Sequence, residues 1–134
     1  MILVGAGSGL APFRGFWEQV CLESSCDLNE GGRSTSVRAR KNRLQLFFGC
    51  FDKEADILLD ETDPLALDVL TRYSAYSRDP KSPKKYVQNL VLEQGQNVYD
   101  ILINRNGRVY ICGKISMAQS VTEAIADVIA KHAK

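Results

Sequence analysis

A loop of closely spaced glycines follows the first apolar run of the sequence. Gly5, Gly7 and Gly9 come in quick succession, with Ser8 between the last two. Glycine lets a backbone approach a phosphate group closely, and the N-terminus of a following helix adds partial positive charge. The spacing departs from the G-x-G-x-x-G fingerprint because Leu10 stands where its third glycine would be. A phosphate-binding loop and a plain strand-to-helix turn therefore both remain open.

A second group of side chains able to bind phosphate lies further along the chain. Ser77 and Arg78 are followed by Lys84, Lys85 and Tyr86. Arginine offers a fork of donors, lysine a point charge, and tyrosine a ring face, which together suit a phosphomonoester beside an aromatic base. Taken alone, such a loop is more often solvated surface. Two such stretches on one sheet edge predict a dinucleotide that carries an extra phosphate.

Alternating strands and helices must position these side chains. Apolar runs that end in small residues predict strands over 2–4, 44–50, 69–75 and 108–113. Helical spacing predicts helices over about 11–21 and 55–59, and helical segments over 86–91 and 98–102 broken around Gly95. A capping box of Ser116 and Gln119 predicts that the last helix begins near Met117. The alternation indicates an α/β fold, with residues 1–134 as a single three-layer domain around a mostly parallel, doubly wound sheet.

The polar stretch 23–42 shows no periodicity and is expected to be a long surface loop. Its arginines at positions 33, 38 and 40 could contact a partner, but a solvated loop is the simpler interpretation. The four cysteines, Cys21, Cys26, Cys50 and Cys112, match no zinc spacing. We therefore expect no metal site, and reduced thiols typical of the cytoplasm.

Composition limits the classes of function that the chain can have. Its 134 residues are 45% apolar and 25% charged, with a net charge of +1, as in one ordinary globular domain. The near-neutral charge offers no electrostatic basis for binding nucleic acid or an anionic membrane. No apolar run is long enough to span a bilayer, and the N-terminus lacks the features of a signal peptide.

Five short motifs occur in a fixed order along nearly the whole chain. They are Gly5-Ala-Gly-Ser-Gly-Leu-Ala-Pro-Phe-Arg14, Leu46-Phe-Phe-Gly-Cys50, Tyr76-Ser-Arg78, Pro83-Lys-Lys-Tyr-Val-Gln88 and Val109-Tyr-Ile-Cys-Gly113, with Met117-Ala118 after them. In this order they resemble the NADP-binding domain of the diflavin reductases, which has the ferredoxin-NADP reductase-like fold. That family includes cytochrome P450 reductase, methionine synthase reductase and the reductase half of nitric oxide synthase. The segment 75–88 is most similar to the nitric oxide synthases.

The resemblance implies a role for each matching residue. Gly7, Ser8 and Gly9 would face the pyrophosphate of the coenzyme. Ser77, Arg78 and Lys84 would hold the 2′-phosphate and select NADPH over NADH. Cys112 would lie beside the nicotinamide, where the hydride leaves for the flavin. The remaining residues of the implied cofactor-binding set are Lys85, Tyr86, Val87, Gln88, Gly113 and Ser120.

The resemblance also implies what the segment does not contain. FAD and FMN would be bound by other domains of the parent protein, which could itself be membrane-associated, and an FAD-binding domain of the same chain would be the partner. Without that domain, the isolated segment is not expected to catalyse a reaction. The segment would be an excised C-terminal piece of a longer protein or a natural remnant of one.

Four positions depart from the family pattern. Phe51 stands where the family has arginine, Lys114 and Ser120 stand where it has aspartate, and Ala6 replaces a proline. Two hypotheses follow. The chain is an NADPH-binding module of a flavin-dependent oxidoreductase, or it is a degenerate domain that keeps the fold for protein interaction and has lost productive hydride transfer.

Overall fold

Four parallel strands form the sheet of the computed structural model, which describes residues 1–26, 43–56 and 69–133. The strands are β1 (Ile2–Ala6), β2 (Leu44–Cys50), β3 (Leu70–Tyr76) and β4 (Val109–Cys112), and their order across the sheet is β3-β2-β1-β4. Gly5 of β1 pairs with Phe48 on one side and with Cys112 on the other. At the same end of the sheet, Cys50 pairs with Tyr76.

Helices cover both faces of this sheet. A short 3-10 turn, Gly7–Leu10, leads from β1 directly into α1 (Ala11–Cys26). After β3 come α2 (Val87–Glu93), α3 (Gly95–Tyr99) and a π-helical turn, Asp100–Asn104, and α4 (Ile115–His132) follows β4. No helix in these described segments is long and apolar enough to cross a membrane.

The alternation of side chains along β1 divides the core into two clusters. Leu3 faces α1, in a cluster with Phe13, Trp17 and Phe48. Its neighbour Val4 faces the opposite side, where α2, α3 and α4 pack. Strands buried on both faces are typical of parallel sheets, which explains why the apolar runs in the sequence are continuous rather than alternating.

Apart from the predicted helix 55–59, the predicted elements agree with the structure except at their ends. The predicted α/β fold, the parallel sheet and the break before Gly95 are confirmed. The third strand is shifted by one residue, and α1 continues to Cys26. Of the predicted loop 23–42, residues 27–42 lie outside the described segments. The same holds for residues 57–59 of the predicted helix 55–59, and its first two residues, Ala55 and Asp56, are not helical.

The predicted start of the last helix is wrong. The helix begins at Ile115, with Lys114 as an N-cap that makes no side-chain hydrogen bond. Ser116 therefore lies inside the first turn and cannot form the capping box with Gln119. Ile115 is 79% exposed, so the first residue of the helix lies outside the apolar stripe from which the helix was predicted.

Candidate functional site

The strand order places a crevice outside the carboxyl ends of β1 and β4. The chain adds β2 and β3 on one side of β1 and then returns to add β4 on the other side. In open α/β sheets, ligands bind outside the carboxyl ends of the strands at such a reversal. The residues at this point are Gly7, Ser8, Gly9, Cys112 and Gly113. The structure therefore brings together the glycine loop and the segment that ends β4.

The glycines of the loop differ in what they contact. A Cβ added at Gly9 would overlap the carbonyl oxygen of Cys112, so this glycine allows the loop to pack directly on β4. Gly7 has φ +53°, a conformation that favours glycine, and a Cβ there would meet nothing within 4 Å. Gly7 and Ser8 are exposed, whereas Gly9 is buried. The two exposed residues are the ones that a ligand can reach.

Two helices begin beside this crevice. The 3-10 turn and α1 have no acidic side chain in their first turns, and neither does α4. The cap of α4 at Lys114 leaves the first N–H groups without a side-chain acceptor from that residue. Helix N-termini carry partial positive charge and unpaired N–H donors. The crevice is therefore suited to an anionic group such as a pyrophosphate.

The second group of predicted site residues lies on the loop that follows β3, on the opposite side of the sheet from β4. Backbone N–H groups of Ser77 and Arg78 donate to the carbonyl oxygens of Cys50 (3.0 Å) and Phe51 (2.7 Å), which extends the β2–β3 pairing beyond the strands. At the far end of the loop, the N–H of Lys85 donates to the carbonyl oxygen of Tyr76 at 3.0 Å. Both ends of loop 78–85 are thus tied to the edge of the sheet.

The cations of this loop are engaged in different ways. The guanidinium carbon of Arg78 lies 4.6 Å from the ring centroid of Phe51, and Lys84 Nζ lies 5.3 Å from that of Tyr86. Within the described part of the chain, neither Arg78 nor Lys84 forms an ion pair. Lys85 does, because its Nζ lies 2.9 Å from Glu93 Oε1. The charges of Arg78 and Lys84 are therefore available to an incoming phosphate, whereas that of Lys85 is already paired.

The start of α2 supports this loop. Val87 is 2% exposed, and a Cβ at Gly49 would come 2.9 Å from its Cγ1, so its side chain packs in the core against β2. The N–H of Tyr86 donates to Asn89 Oδ1 at 2.9 Å, while the Tyr86 side chain is 44% exposed. Gln88 is half-buried. Of these residues, Tyr86 offers the ring surface that an aromatic base would need.

A buried carboxylate, Asp56, is contacted by two side chains of β3, and the sequence analysis did not identify it. The hydroxyl of Tyr76 donates to Asp56 Oδ2 at 2.7 Å, and Arg72 Nη1 lies 3.8 Å from Asp56 Oδ1. Burial, and then the hydrogen bond to Asp56, raise the pKa of Tyr76 to about 12. One feature of the sequence could have indicated this group. Arg72 and Tyr76 lie on the same face of a strand, and a partly buried cation there needs a partner of opposite charge.

The two predicted cysteine and serine positions near β4 and α4 also have defined surroundings. Cys112 is a half-buried free thiol at the end of β4 and packs against the α1-side core. Ser120 Oγ donates to the carbonyl oxygen of Ser116 at 3.1 Å, within α4. Burial raises the pKa of Cys50 to about 11, with Asp56 the next largest cause. This shift disfavours the thiolate, which is the nucleophilic form of the side chain.

The Arg78 loop and the end of β4 both lie outside the carboxyl ends of the strands, but on opposite sides of the sheet. β3 and β4 are the outermost strands of the sheet, and three strand spacings separate them by about 14 Å. A single small ion cannot contact both Arg78 and Cys112 across that distance, whereas an extended ligand can. No cluster of three metal-ligating side chains is present among residues 1–26, 43–56 and 69–133. The fold and the site define a nucleotide-binding α/β domain.

Comparison with known proteins identifies the family. Residues 3–123 match the oxidoreductase NAD-binding domain family, and the chain belongs to that family. It is 36% identical to a nitric oxide synthase-like protein of Bombyx mori, over 98% of this chain and 11% of that protein. It is 34% identical to the nitric oxide synthase of Drosophila melanogaster, over 97% of this chain and 9% of that protein. The chain thus spans about a tenth of the length of these relatives.

A solved structure shows the same fold. The fold predicted from the motifs is matched by a ferredoxin-NADP+ reductase from Plasmodium falciparum, crystallised with 2′P-AMP, at a TM-score of 0.67 and 18% identity. The match covers 98% of this chain and 47% of that one. The resemblance to the reductase family and its fold is therefore confirmed.

Proposed function

We propose that this chain binds NADPH and presents its nicotinamide to an FAD held by another domain of a longer protein. The observation that carries the proposal is the position of Arg78 and Lys84. Both are exposed cations without an ion-pair partner in the described segments, and both lie on a loop tied to the sheet edge that also carries the glycine loop. This arrangement suits a dinucleotide whose 2′-phosphate lies at Arg78 and Lys84 and whose pyrophosphate lies at the glycine loop.

The donor set fits the proposed coenzyme. Arg78 and Lys84 would hold the 2′-phosphate, with the hydroxyl of Ser77 as a further donor. The exposed Tyr86 ring would cover the adenine, and Lys85 and Gln88 would border the same pocket. Gly7, Ser8 and the helix N-termini would take the pyrophosphate. When bound, NADPH supplies a hydride at the nicotinamide ring.

The residues at the end of β4 would determine where that ring lies. The packing of Gly9 against the Cys112 carbonyl fixes the glycine loop relative to β4. The half-buried Cys112 side chain would then border the nicotinamide, with Gly113 next to it and Ser120 further along α4. The acceptor FAD, and an FMN beyond it, would belong to other domains of the parent protein. We place the whole protein in the cytoplasm. The partners of this segment would be NADPH and the FAD-binding domain.

The first test is calorimetric titration of the folded chain with NADP⁺ and with NAD⁺ at low salt. We expect NADP⁺ to bind more tightly, because only NADP⁺ carries the phosphate that Arg78 and Lys84 can contact. Equal affinity for the two nucleotides would contradict the placement of the 2′-phosphate. Circular dichroism on the same sample confirms that it is folded.

The second candidate function is a protein-interaction module that no longer takes part in hydride transfer. Three departures from the family pattern favour it, namely Phe51, Lys114 and Ser120, whose hydroxyl is engaged inside α4. Absence of binding for both nucleotides, in a sample shown to be folded, would support this function over the first.

A further inference from the structure

Phe51 and Arg78 are joined by two separate contacts. The N–H of Arg78 donates to the carbonyl oxygen of Phe51 at 2.7 Å. The guanidinium of Arg78 also lies over the Phe51 ring, at 4.6 Å from its centroid. The backbone contact lies directly beyond the pairing of Cys50 with Tyr76, so the end of the β2–β3 pair brings the two backbones together.

The core does not account for Phe51. The side chain is 57% exposed, at the point where β2 ends, and it belongs to neither of the two core clusters. An exposed aromatic ring gives little stability by burial. Among the ring–ring and cation–π contacts of the described residues, the Phe51 ring takes part in the one with Arg78.

A ring stacked on a guanidinium limits the motion of the arginine side chain but leaves its N–H donors available. The ring interacts with the face of the guanidinium, whereas the N–H groups that bind phosphate lie on its edge. A long, exposed arginine otherwise loses considerable rotamer freedom when it binds a ligand. An arginine already held against a ring loses less of that freedom at the moment of binding.

We infer that Phe51 is a positioning residue that orients Arg78 toward the nucleotide and thereby strengthens the selection of a 2′-phosphorylated ligand. This inference rests on the proposed function, since it concerns the same 2′-phosphate pocket. Phe51 itself is not placed in contact with the phosphate. Its effect is exerted through Arg78.

The test uses two nucleotides that differ only in the 2′-phosphate, adenosine 2′,5′-bisphosphate and adenosine 5′-monophosphate. Dissociation constants are measured for the original chain, for Phe51→Leu and for Phe51→Trp. We expect Phe51→Leu to weaken binding of the bisphosphate by about two- to fivefold, the range that a cation–π contact at an exposed site gives, and to leave the monophosphate unchanged. Phe51→Trp keeps a ring and should retain the original selectivity. Leu92→Ala, at another exposed apolar side chain, is the matched control and should change neither constant.

A double-mutant cycle tests whether the effect passes through Arg78. In an Arg78→Ala background, Phe51→Leu should have no further effect on bisphosphate affinity. A similar loss in both backgrounds, an equal loss for both nucleotides, or no loss at all would each overturn the inference. Failure of the original chain to prefer the bisphosphate would instead refute the proposed function, and the two failures are thus distinguishable.

Discussion

Arg78 is the residue whose removal tests the nucleotide pocket most directly. Arg78→Ala should lower the affinity for NADP⁺ by about 1.5–3 kcal/mol, or roughly 10- to 150-fold, because a hydrogen-bonded charge on the 2′-phosphate is lost. The affinity for NAD⁺ should change little, since NAD⁺ lacks that phosphate. Calorimetric titration of both nucleotides measures the difference.

Lys81→Ala provides the control for this substitution. Lys81 is an exposed cation of the same loop, and its backbone N–H donates to Asp79 Oδ1 at 2.8 Å. Its removal changes the net charge as Arg78→Ala does, but should leave the preference for NADP⁺ intact. If both variants lost NADP⁺ affinity to the same degree, general electrostatics rather than a specific contact would explain the binding.

The raised pKa values of Cys50 and Tyr76 predict a loss of stability in alkali. A group whose pKa is higher in the folded state stabilises the fold below its unfolded pKa and ceases to do so as the pH rises through the folded value. For Cys50 this window runs from 9.0 to about 11, and for Tyr76 from 10.0 to about 12. The free energy of unfolding should therefore fall steadily above pH 9.

Denaturant unfolding at a series of pH values measures this loss. Cys50→Ala removes one of the two groups and should show a smaller decrease between pH 9 and 11 than the original chain. An unchanged pH profile in Cys50→Ala would show that the thiol does not titrate in this window.

At the level of single residues, the sequence indicated which side chains could bind phosphate, but not which side chains contact one another. Ser77, Arg78 and Lys84 were identified from chemistry and from the family motifs, and the structure places them on one loop at the sheet edge. The pairing of Phe51 with Arg78 depends on the register of β2 against β3. That register is a long-range property, which no local pattern in either strand contains.

Among the elements, the turn between β1 and α1 allows a comparison of glycines. Gly9→Ala should destabilise the fold by about 1–3 kcal/mol, because its methyl group would overlap the Cys112 carbonyl. Gly15 lies on the exposed side of α1, where a Cβ would meet nothing within 4 Å. Gly15→Ala should therefore stabilise the chain by about 0.5–1 kcal/mol, as alanine does in a helix.

Thermal unfolding of the two variants tests this comparison, with the original chain as reference. Opposite shifts of the melting temperature are expected. A Gly9→Ala variant as stable as the original chain would show that the loop does not pack against β4 as closely as described.

The limits of sequence-based prediction at this scale are visible in β1 and α4. The three apolar residues that begin β1 are followed at once by glycines, so the strand and the turn were both predicted. The start of α4 was not, because an exposed Ile115 and an N-cap without a side-chain hydrogen bond leave no pattern at that boundary. Helix caps are informative in a sequence only where a side chain performs the capping.

In the whole molecule, β1 connects the two core clusters. Leu3 and Val4 are both fully buried and point to opposite faces of the sheet. Leu3→Ala should destabilise the fold by about 2–5 kcal/mol, and Val4→Ala should also destabilise it, by less, because fewer atoms are removed. Since both clusters share β1, each variant should still unfold in a single transition.

Trp17 allows this cooperativity to be measured. It is the one tryptophan in the sequence and lies in the α1-side cluster, away from Val4. Its fluorescence and the far-UV circular dichroism of Val4→Ala should report the same midpoint in denaturant. Two separate midpoints would mean that the two faces of the sheet unfold independently.

The order of the strands was the part of the architecture that the sequence did not determine. The alternation of elements indicated a parallel sheet, but β4 follows β3 in the chain and lies beside β1 in space. The motifs of the reductase family indicated that the residues at the carboxyl ends of the strands would bind the coenzyme. The flavin acceptor is inferred from that family rather than from these residues, since the chain spans about a tenth of the length of its relatives.

Two hydrogen bonds tie the ends of loop 78–85 to the sheet, so the positions of the loop's cations do not depend on its length. Arg78 is held at one end through Phe51, and Lys84 is adjacent to Lys85, which is held at the other end through Tyr76. The tip between them, around Lys81, can therefore be lengthened without displacing either charge. Insertions at the tip should be tolerated, whereas a single added residue between Tyr76 and Arg78 would remove the guanidinium from the edge of the sheet.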